Sequence, residues 1–175
     1  MKACCQDHSL GQKIKLWPLL ICAFALANAA SAKAPVIFLV RHAERAAISG
    51  PVPSDTGLSR QGKARAQDLA QALKDAQITA IYTSEYKRTK ETAEPLALSL
   101  GIRPEVVQSD DFRTLIAKLK ALRGNALVVG HSNTLPQIIN ALRASSRVTV
   151  AETEYDNLFM VVMDRPPRLI RLHYR

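Results

Sequence analysis

The chain has 175 residues, of which 24 are Lys or Arg and 15 are Asp or Glu, and its formal net charge is +9. This length suits one domain. The basic residues are scattered rather than clustered, and aromatic residues make up only 5% of the chain. Neither a basic stripe nor a stacking platform is visible, so we expect no nucleic-acid partner. A positive balance of this size fits an anionic small substrate or an anionic surface.

The N-terminal segment has the three-part layout of a secretory signal peptide. Three lysines lie within residues 1–15, residues 16–32 carry no charge, and the segment closes on the small-residue pattern Ala30-Ser31-Ala32. We predict a signal peptide at 1–32, a single domain at 33–175, and export to the periplasm or the medium. The uncharged run contains Pro18 and is short for a membrane span, so no stable membrane anchor is expected after cleavage.

Cleavage after Ala32 would remove every cysteine, because Cys4, Cys5 and Cys22 all lie in the discarded segment. The mature chain would then hold neither a disulfide nor a catalytic thiol. It would also lose three lysines and one aspartate, which leaves a net charge of +7. Cysteine catalysis is therefore excluded.

Apolar runs alternate with helical stripes along the rest of the chain, which favours an α/β sandwich around a mostly parallel sheet. The predicted elements are a strand at 35–40, a helix after Ser59, a strand at 78–83, a helix at 85–100 stopped by Gly101, an extended piece near Val106, a helix at 112–124, a strand at 126–129, a helix at 135–142, and a hairpin of strands at 158–163 and 169–174. Pro95 falls inside the second helix, where it is expected to kink or split it.

Two histidines occupy equivalent positions after buried strands. His42 follows the first strand with Arg41 between them, and His131 follows the strand at 126–129. Arg88 comes soon after the strand at 78–83, near the start of a helix. Ligands of parallel α/β sheets bind at the carboxyl ends of the strands. We therefore expect these four side chains to meet in one crevice.

Two arginines and two histidines in one crevice match the chemistry of phosphoryl transfer. Arginine binds the oxygens of a phosphate monoester in a bidentate manner. A neutral histidine near pH 7 is a competent nucleophile, and the guanidinium groups offset the charge on the transferring oxygens. A metal site formed by His42, Glu44 and His131 is the alternative. It explains neither arginine, so we predict no metal and no cofactor.

Four motifs in order resemble the histidine phosphatase superfamily, which includes phosphoglycerate mutases and acid phosphatases. They are Arg41-His42, the stretch 58–64 (LSRQGKA), the stretch 84–93 (SEYKRTKETA) and Gly130-His131. The resemblance implies a phosphoglycerate mutase-like three-layer α/β/α fold. It also implies that His42 is the nucleophile, that Arg41 and Arg88 bind phosphate, and that His131 is the second histidine of the pocket.

The proton donor of that family has no clear counterpart in this chain. Glu44, Asp110 and Asp111 are the candidates, but we favour an orienting role for Glu44 and a helix-capping role for the two aspartates. Glu152, Glu154 and Asp156 precede the final strands; they either line the same edge of the pocket or form an acidic, solvated connection, and we favour the connection. Ser132 and Asn133 are read as the cap of the helix that follows them, and His173 as a surface residue.

The sequence thus predicts an exported, metal-independent phosphatase that acts on small phosphate monoesters through a phosphohistidine on His42. Export favours a sugar phosphate or an envelope glycolipid phosphate as the substrate. A phosphohistidine or phosphoramidate phosphatase is an alternative, because such leaving groups need little protonation. A protein that binds phosphate without catalysis is the other alternative.

Overall fold

A computed structural model describes residues 33–47, 55–145 and 147–174. The predicted signal peptide at 1–32 lies outside the described residues. The predicted alternation of strands and helices is confirmed, with each element close to its expected position. The elements are β1 (Val36–Arg41), α1 (Arg60–Leu73), β2 (Ile78–Thr83), α2 (Lys87–Leu100), β3 (Glu105–Val106), α3 (Phe112–Ala121), β4 (Asn125–Gly130), α4 (Thr134–Ala141), β5 (Asn157–Val162) and β6 (Arg168–His173).

The six strands form one mixed sheet in the order β3-β2-β4-β1-β5-β6. Strands β1 to β4 are mutually parallel, and β5 and β6 add an antiparallel hairpin beside β1. Parallel strands are buried on both faces and read as continuous apolar runs, which explains the composition of β1 and β4. The two central strands, β4 and β1, therefore end at the same edge of the sheet.

Two apolar clusters cover the two faces of the sheet and confirm the three-layer α/β/α arrangement. Alternate residues of β1 point to opposite faces, so Phe38 and Val40 pack with α1 and α2. Ile37 and Leu39 pack with α3 and α4 on the other face. Within the described residues, every helix is too short or too polar to cross a membrane.

Local signals in the sequence explain most of the helix ends. The Ser59 side chain caps α1 by accepting a hydrogen bond from the Gly62 amide. The Asp111 carboxylate caps α3 through the Thr114 amide, as predicted. Gly101 ends α2 in the left-handed region, at φ 64°, where glycine is free of the strain that a Cβ brings.

Pro95 does not split α2, which runs without interruption to Leu100. The prediction of a split or kinked helix rested on the missing proline amide alone. One face of α2 is buried against the sheet and α1 through Ala93, Leu96 and Ala97. That packing outweighs the loss of one hydrogen bond within the helix.

Candidate active site

The carboxyl ends of β1 and β4 bring the two predicted histidines together. In the register of these parallel strands Arg41 lies beside Gly130, and the His42 amide donates to the Gly130 carbonyl over 2.9 Å. His42 and His131 each come one residue later. Their ring centroids are 5.3 Å apart, with the rings inclined at 64°. The structure thus places both histidines in one site.

An open cleft of about 310 Å³ lies at this edge of the sheet. It is lined by five segments, four at the carboxyl ends of β1 to β4 and one that precedes β5, and most of its lining is polar. The lining residues are Arg41, His42, Arg45, Tyr86, Arg88, Ser109, His131, Ser132, Asn133, Thr134 and Glu152. All four residues predicted to form the site therefore lie in the same cleft.

The His42 ring is buried, and its hydrogen bond identifies the protonated nitrogen. His42 is only 4% exposed, and Nδ1 lies 2.8 Å from the carbonyl oxygen of Ala43. A carbonyl only accepts, so Nδ1 carries the proton and Nε2 keeps its lone pair. Burial lowers the pKa of His42 to about 4, and the charges of His131 and Arg41 add to the effect. At neutral pH the ring is therefore uncharged and nucleophilic at Nε2.

The His131 ring is held in place by a chain of two hydroxyl groups, those of Ser84 and Thr89. The Thr89 hydroxyl donates to the Tyr86 carbonyl over 2.8 Å, which leaves its oxygen to accept from Ser84 over 2.9 Å. The Ser84 oxygen can then only accept from His131, whose Nε2 is 3.2 Å away. Burial and the neighbouring Arg88 lower the pKa of His131 to about 4. His131 is thus a fixed, neutral group at the cleft wall.

Arg41 is buried under a loop that precedes β5. Its side chain is 4% exposed, and its two terminal nitrogens donate to the Ala151 carbonyl over 3.0 Å and to the Glu152 carboxylate over 2.5 Å. The Tyr155 ring lies 4.3 Å from the centre of the guanidinium group. Nε of Arg41 is buried and has no hydrogen-bond partner among the described residues. Arg41 therefore keeps one unused donor.

Arg88 has the largest set of buried, unused donors among the described residues. It lies in the first turn of α2, and its Nε and NH1 atoms are buried without a hydrogen-bond partner there. The Tyr86 ring stacks 4.2 Å from its guanidinium carbon. Burial lowers the pKa of Arg88, and repulsion from Arg45 lowers it further. Buried donors without partners cost free energy, so an anion that accepts from them is bound strongly.

Two hydrogen bonds connect the loop after His42 to the first turn of α2, which carries Arg88. The Ala43 amide, next to His42, donates to the Thr92 hydroxyl over 3.0 Å. That hydroxyl donates in turn to the Arg88 carbonyl over 2.6 Å. The stretch 84–93 therefore supplies an arginine, a threonine that ties it to the nucleophile loop, and the serine that orients His131.

Glu44 turns away from the cleft and pairs with α1. Its carboxylate accepts from Nε of Arg65 over 2.9 Å and from NH2 over 2.6 Å, and both side chains are nearly buried. Gly62, in the same helix, lies against the Glu44 backbone. Glu44 thus anchors the segment after His42 to α1, which is an orienting role of the kind expected for it.

Two interpretations of the loops around the cleft are wrong. The Ser132 hydroxyl donates to the Glu152 carboxylate instead of capping α4, and Asn133 makes no capping bond. Asn133 occupies the N-cap position without a side-chain bond, and the Thr134 hydroxyl accepts from the His131 amide, which lies before the helix. Glu152 belongs to the cleft and not to a merely solvated connection.

The sequence reasoning set Glu152 aside as part of a solvated connection and missed the two tyrosines that stack on the arginines. Glu152 follows Arg41 by 111 positions, and only the pairing of β5 with β1 brings its loop over the cleft. The other two acids of that connection behave as surface groups: Glu154 pairs with Arg171, and Asp156 with His173. His173 is 53% exposed, so its interpretation as a surface residue is confirmed.

The described residues contain no cluster of three His, Cys, Asp or Glu side chains able to hold a metal ion. Two of the candidate proton donors, Asp110 and Asp111, are not among the residues that line the cleft. Asp111 is engaged in capping α3, and Asp110 is exposed beside it. Glu152 is the one acidic side chain among the residues that line the cleft.

Comparison with known proteins agrees with the motif order. The family model for the histidine phosphatase superfamily (branch 1) matches residues 37–115. This range begins in β1 and ends in α3, so it holds His42, Arg88 and the helix that packs on Glu44. The match confirms the resemblance inferred from the motifs.

Three solved structures share the fold. A candidate phosphohistidine phosphatase, SixA, from Agrobacterium tumefaciens is 24% identical, with a TM-score of 0.57 over 78% of this chain and 97% of its own. The α-ribazole phosphatase of Shigella flexneri is 17% identical, with a TM-score of 0.63 over 79% and 96%. A mycobacterial glucosyl-3-phosphoglycerate phosphatase, solved with inorganic phosphate, is 16% identical, with a TM-score of 0.61 over 79% and 96%.

Proposed function

Because residues 37–115 match the family model of the histidine phosphatase superfamily (branch 1), we propose that the chain is a member that hydrolyses phosphate monoesters without a metal, through a phosphohistidine on His42. The geometry of His42 carries this proposal. Its Nδ1 proton is committed to the Ala43 carbonyl over 2.8 Å, so the lone pair of Nε2 is available for attack. The low pKa of about 4 keeps that lone pair unprotonated at neutral pH.

The surrounding donors suit a phosphoryl group in front of Nε2. Arg88 supplies two buried N–H groups, and Arg41 supplies its Nε, all without partners in the described residues. These groups stabilise the charge on the equatorial oxygens during transfer. His42 becomes positively charged as it is phosphorylated, and the Ala43 carbonyl stabilises that charge through the Nδ1 hydrogen bond.

A phosphohistidine or phosphoramidate phosphatase is the second candidate function. It is favoured by the ionised state of Glu152, the acidic side chain in the cleft lining. The pKa of Glu152 is lowered by the hydrogen bond from Ser132 and by the charge of Arg41. A carboxylate that is ionised at neutral pH protonates a leaving group poorly. The name of the A. tumefaciens neighbour points to the same class of substrate. A protein that only binds phosphate would gain nothing from the tautomer of His42.

The proposal includes export and a small phosphorylated substrate, such as a sugar phosphate or an envelope glycolipid phosphate. The signal-peptide pattern at 1–32 supports export. The phosphatases of S. flexneri and mycobacteria are named for small phosphorylated compounds. Cell fractionation with N-terminal sequencing is expected to recover a chain that begins at Lys33, and an intact N-terminus in the cytoplasm would contradict export.

Turnover of an aryl phosphate in the presence of EDTA tests the catalytic proposal. Aryl leaving groups need little protonation, so activity is expected even without a proton donor. The wild type should turn over and both His42→Ala and His42→Asn should lose activity, with far-UV circular dichroism as the control for folding. The Arg123→Gln variant, at the opposite end of β4, should keep full activity. Activity that survives in a folded His42 variant, or that disappears with EDTA, would contradict the mechanism.

A further inference from the structure

Glu152, which lines the cleft, and Glu85 and Asp111 near it are held in the ionised state. Glu152 has a lowered pKa because it accepts from Ser132 and faces Arg41. Burial alone would raise the pKa of Glu85, but the hydrogen bonds from Ser109 outweigh burial and lower it. The pKa of Asp111 is lowered by its hydrogen bond from Thr114. None of these groups carries a proton at neutral pH.

The histidines supply no acid either, because the pKa values of His42 and His131 are both about 4. An alkoxide is about as strong a base as hydroxide, so it is a poor leaving group unless it is protonated as it departs. An alcohol therefore leaves slowly from this cleft, whereas a group that is stable as an anion leaves readily.

Arg45 adds a positive charge at the mouth of the cleft. The side chain is exposed and lines the cleft beside Arg88, whereas Arg41 is buried. Its backbone is fixed by a bridge to Leu58, so the position is not arbitrary. Its charge lowers the pKa of Arg88 and also that of Glu152, which places it within electrostatic reach of both.

Charge balance in the cleft leaves Arg45 available for a ligand. Arg41 is paired with Glu152 at 2.5 Å. Among the described residues, the Arg45 guanidinium group makes no hydrogen bond or ion pair, and the buried donors of Arg88 are also unused. One phosphoryl group satisfies Arg88 in the interior. A second anionic group attached to it would reach the mouth, where Arg45 lies.

We propose that the substrate is a diphosphate, whose terminal phosphoryl group is transferred to His42 and whose inner phosphate is bound by Arg45 as it leaves. This inference rests on the proposed function and keeps its phosphohistidine chemistry, but it replaces the monoester by the phosphoanhydride of a small diphosphate at the same site. The second pKa of a phosphate ester is about 6, so the inner phosphate departs as a dianion without a proton from the protein. Arg45 stabilises the charge that develops on it.

The two steps balance without another reactant. The Nε2–P bond forms as the bridging P–O bond breaks, and its electron pair leaves with the inner phosphate. The His42 ring, still protonated at Nδ1, is then a phosphorylated imidazolium. Water next attacks phosphorus, the P–N bond breaks with its electrons returning to Nε2, and both water protons leave on orthophosphate.

Inorganic pyrophosphate, glycerol 2-phosphate and an aryl phosphate test the proposal, with EDTA present throughout. Pyrophosphate should be hydrolysed by the wild type with a kcat/KM well above that of glycerol 2-phosphate. The kcat/KM for pyrophosphate divided by that for aryl phosphate should be about tenfold lower in Arg45→Gln than in the wild type. This is the effect expected from losing one hydrogen bond between charged groups. Arg45→Lys should restore part of that ratio, and Arg123→Gln is the charge-matched control.

The possible results separate the substrate class from the proposed function. If aryl phosphate is hydrolysed through His42 but pyrophosphate is not, the diphosphate inference is overturned and the phosphatase remains. The same holds if Arg45→Gln lowers both substrates equally, or if glycerol 2-phosphate is as good a substrate as pyrophosphate. If the folded wild type hydrolyses none of the three, the proposed function itself fails.

Discussion

Replacing Gly62 with alanine tests whether α1 positions the nucleophile loop. A Cβ at this position would lie 2.3 Å from the Glu44 carbonyl oxygen and 3.0 Å from the Glu44 amide. An ordinary carbon–oxygen contact is about 3.3–3.6 Å, so helix and loop must separate by about 1 Å. The neighbour is backbone and cannot rotate away as a flexible side chain does. His42 is two residues before Glu44, so the displacement reaches the site.

The expected cost of Gly62→Ala follows from two opposed effects. Alanine favours a helix interior over glycine by about 1 kcal/mol, whereas overpacking costs about 1–3 kcal/mol and more against backbone. We expect a net loss of about 2 kcal/mol in the free energy of unfolding. A displacement near 1 Å at a reacting group can lower the rate by about 100-fold, so kcat should fall more than KM rises.

Urea unfolding and aryl phosphate kinetics measure both effects, with Gly101→Ala as the matched control. Gly101 has open space around it, but its φ of 64° strains any side chain. That variant should lose about 1 kcal/mol of stability and keep its kcat, because it lies at the far end of α2. If Gly62→Ala is as stable as the wild type, or is destabilised with an unchanged kcat, the account of α1 is wrong.

Acidification should destabilise the fold through the buried histidines. A folded-state pKa of about 4 for His42 lies below the usual 6.5, so its contribution is complete above pH 6.5 and is lost as the pH falls towards 4. For His42 this amounts to a loss of about 2 kcal/mol in the free energy of unfolding by pH 5. Urea unfolding should show a smaller loss on acidification in His42→Asn than in the wild type. Equal losses in the two proteins would contradict the assignment. Asp111→Ala should lower the stability of the fold through the loss of its cap on α3 and leave kcat/KM unchanged. A tenfold or greater loss of activity would instead identify Asp111 as a proton donor.

The sequence was sufficient for the sheet and for the core of the site. Continuous apolar runs mark β1 and β4, and parallel strands must end at one edge. The meeting of His42 and His131 therefore follows from chain order alone. Arg88 follows from the same rule, because β2 is the next strand in the sheet.

The rest of the site depends on tertiary contacts that local patterns do not encode. Glu152 reaches Arg41 because a long connection folds back before β5, and no spacing predicts that. The stacking of Tyr86 and Tyr155 on the arginines is likewise visible only in three dimensions. Local rules also assigned a capping bond to Ser132 and Asn133, whereas Ser132 donates to Glu152 and Asn133 holds the N-cap position of α4 without a side-chain bond.

Trapping the phosphorylated enzyme tests the central claim most directly. Phosphohistidine is stable in alkali, so wild-type protein mixed with labelled substrate is quenched in base, and the modified residue is identified by mass spectrometry. The account predicts a label on Nε2 of His42, formed and consumed at rates that match turnover, and absent in His42→Asn. Turnover without any label on the protein, or a label on His131 instead, would contradict it.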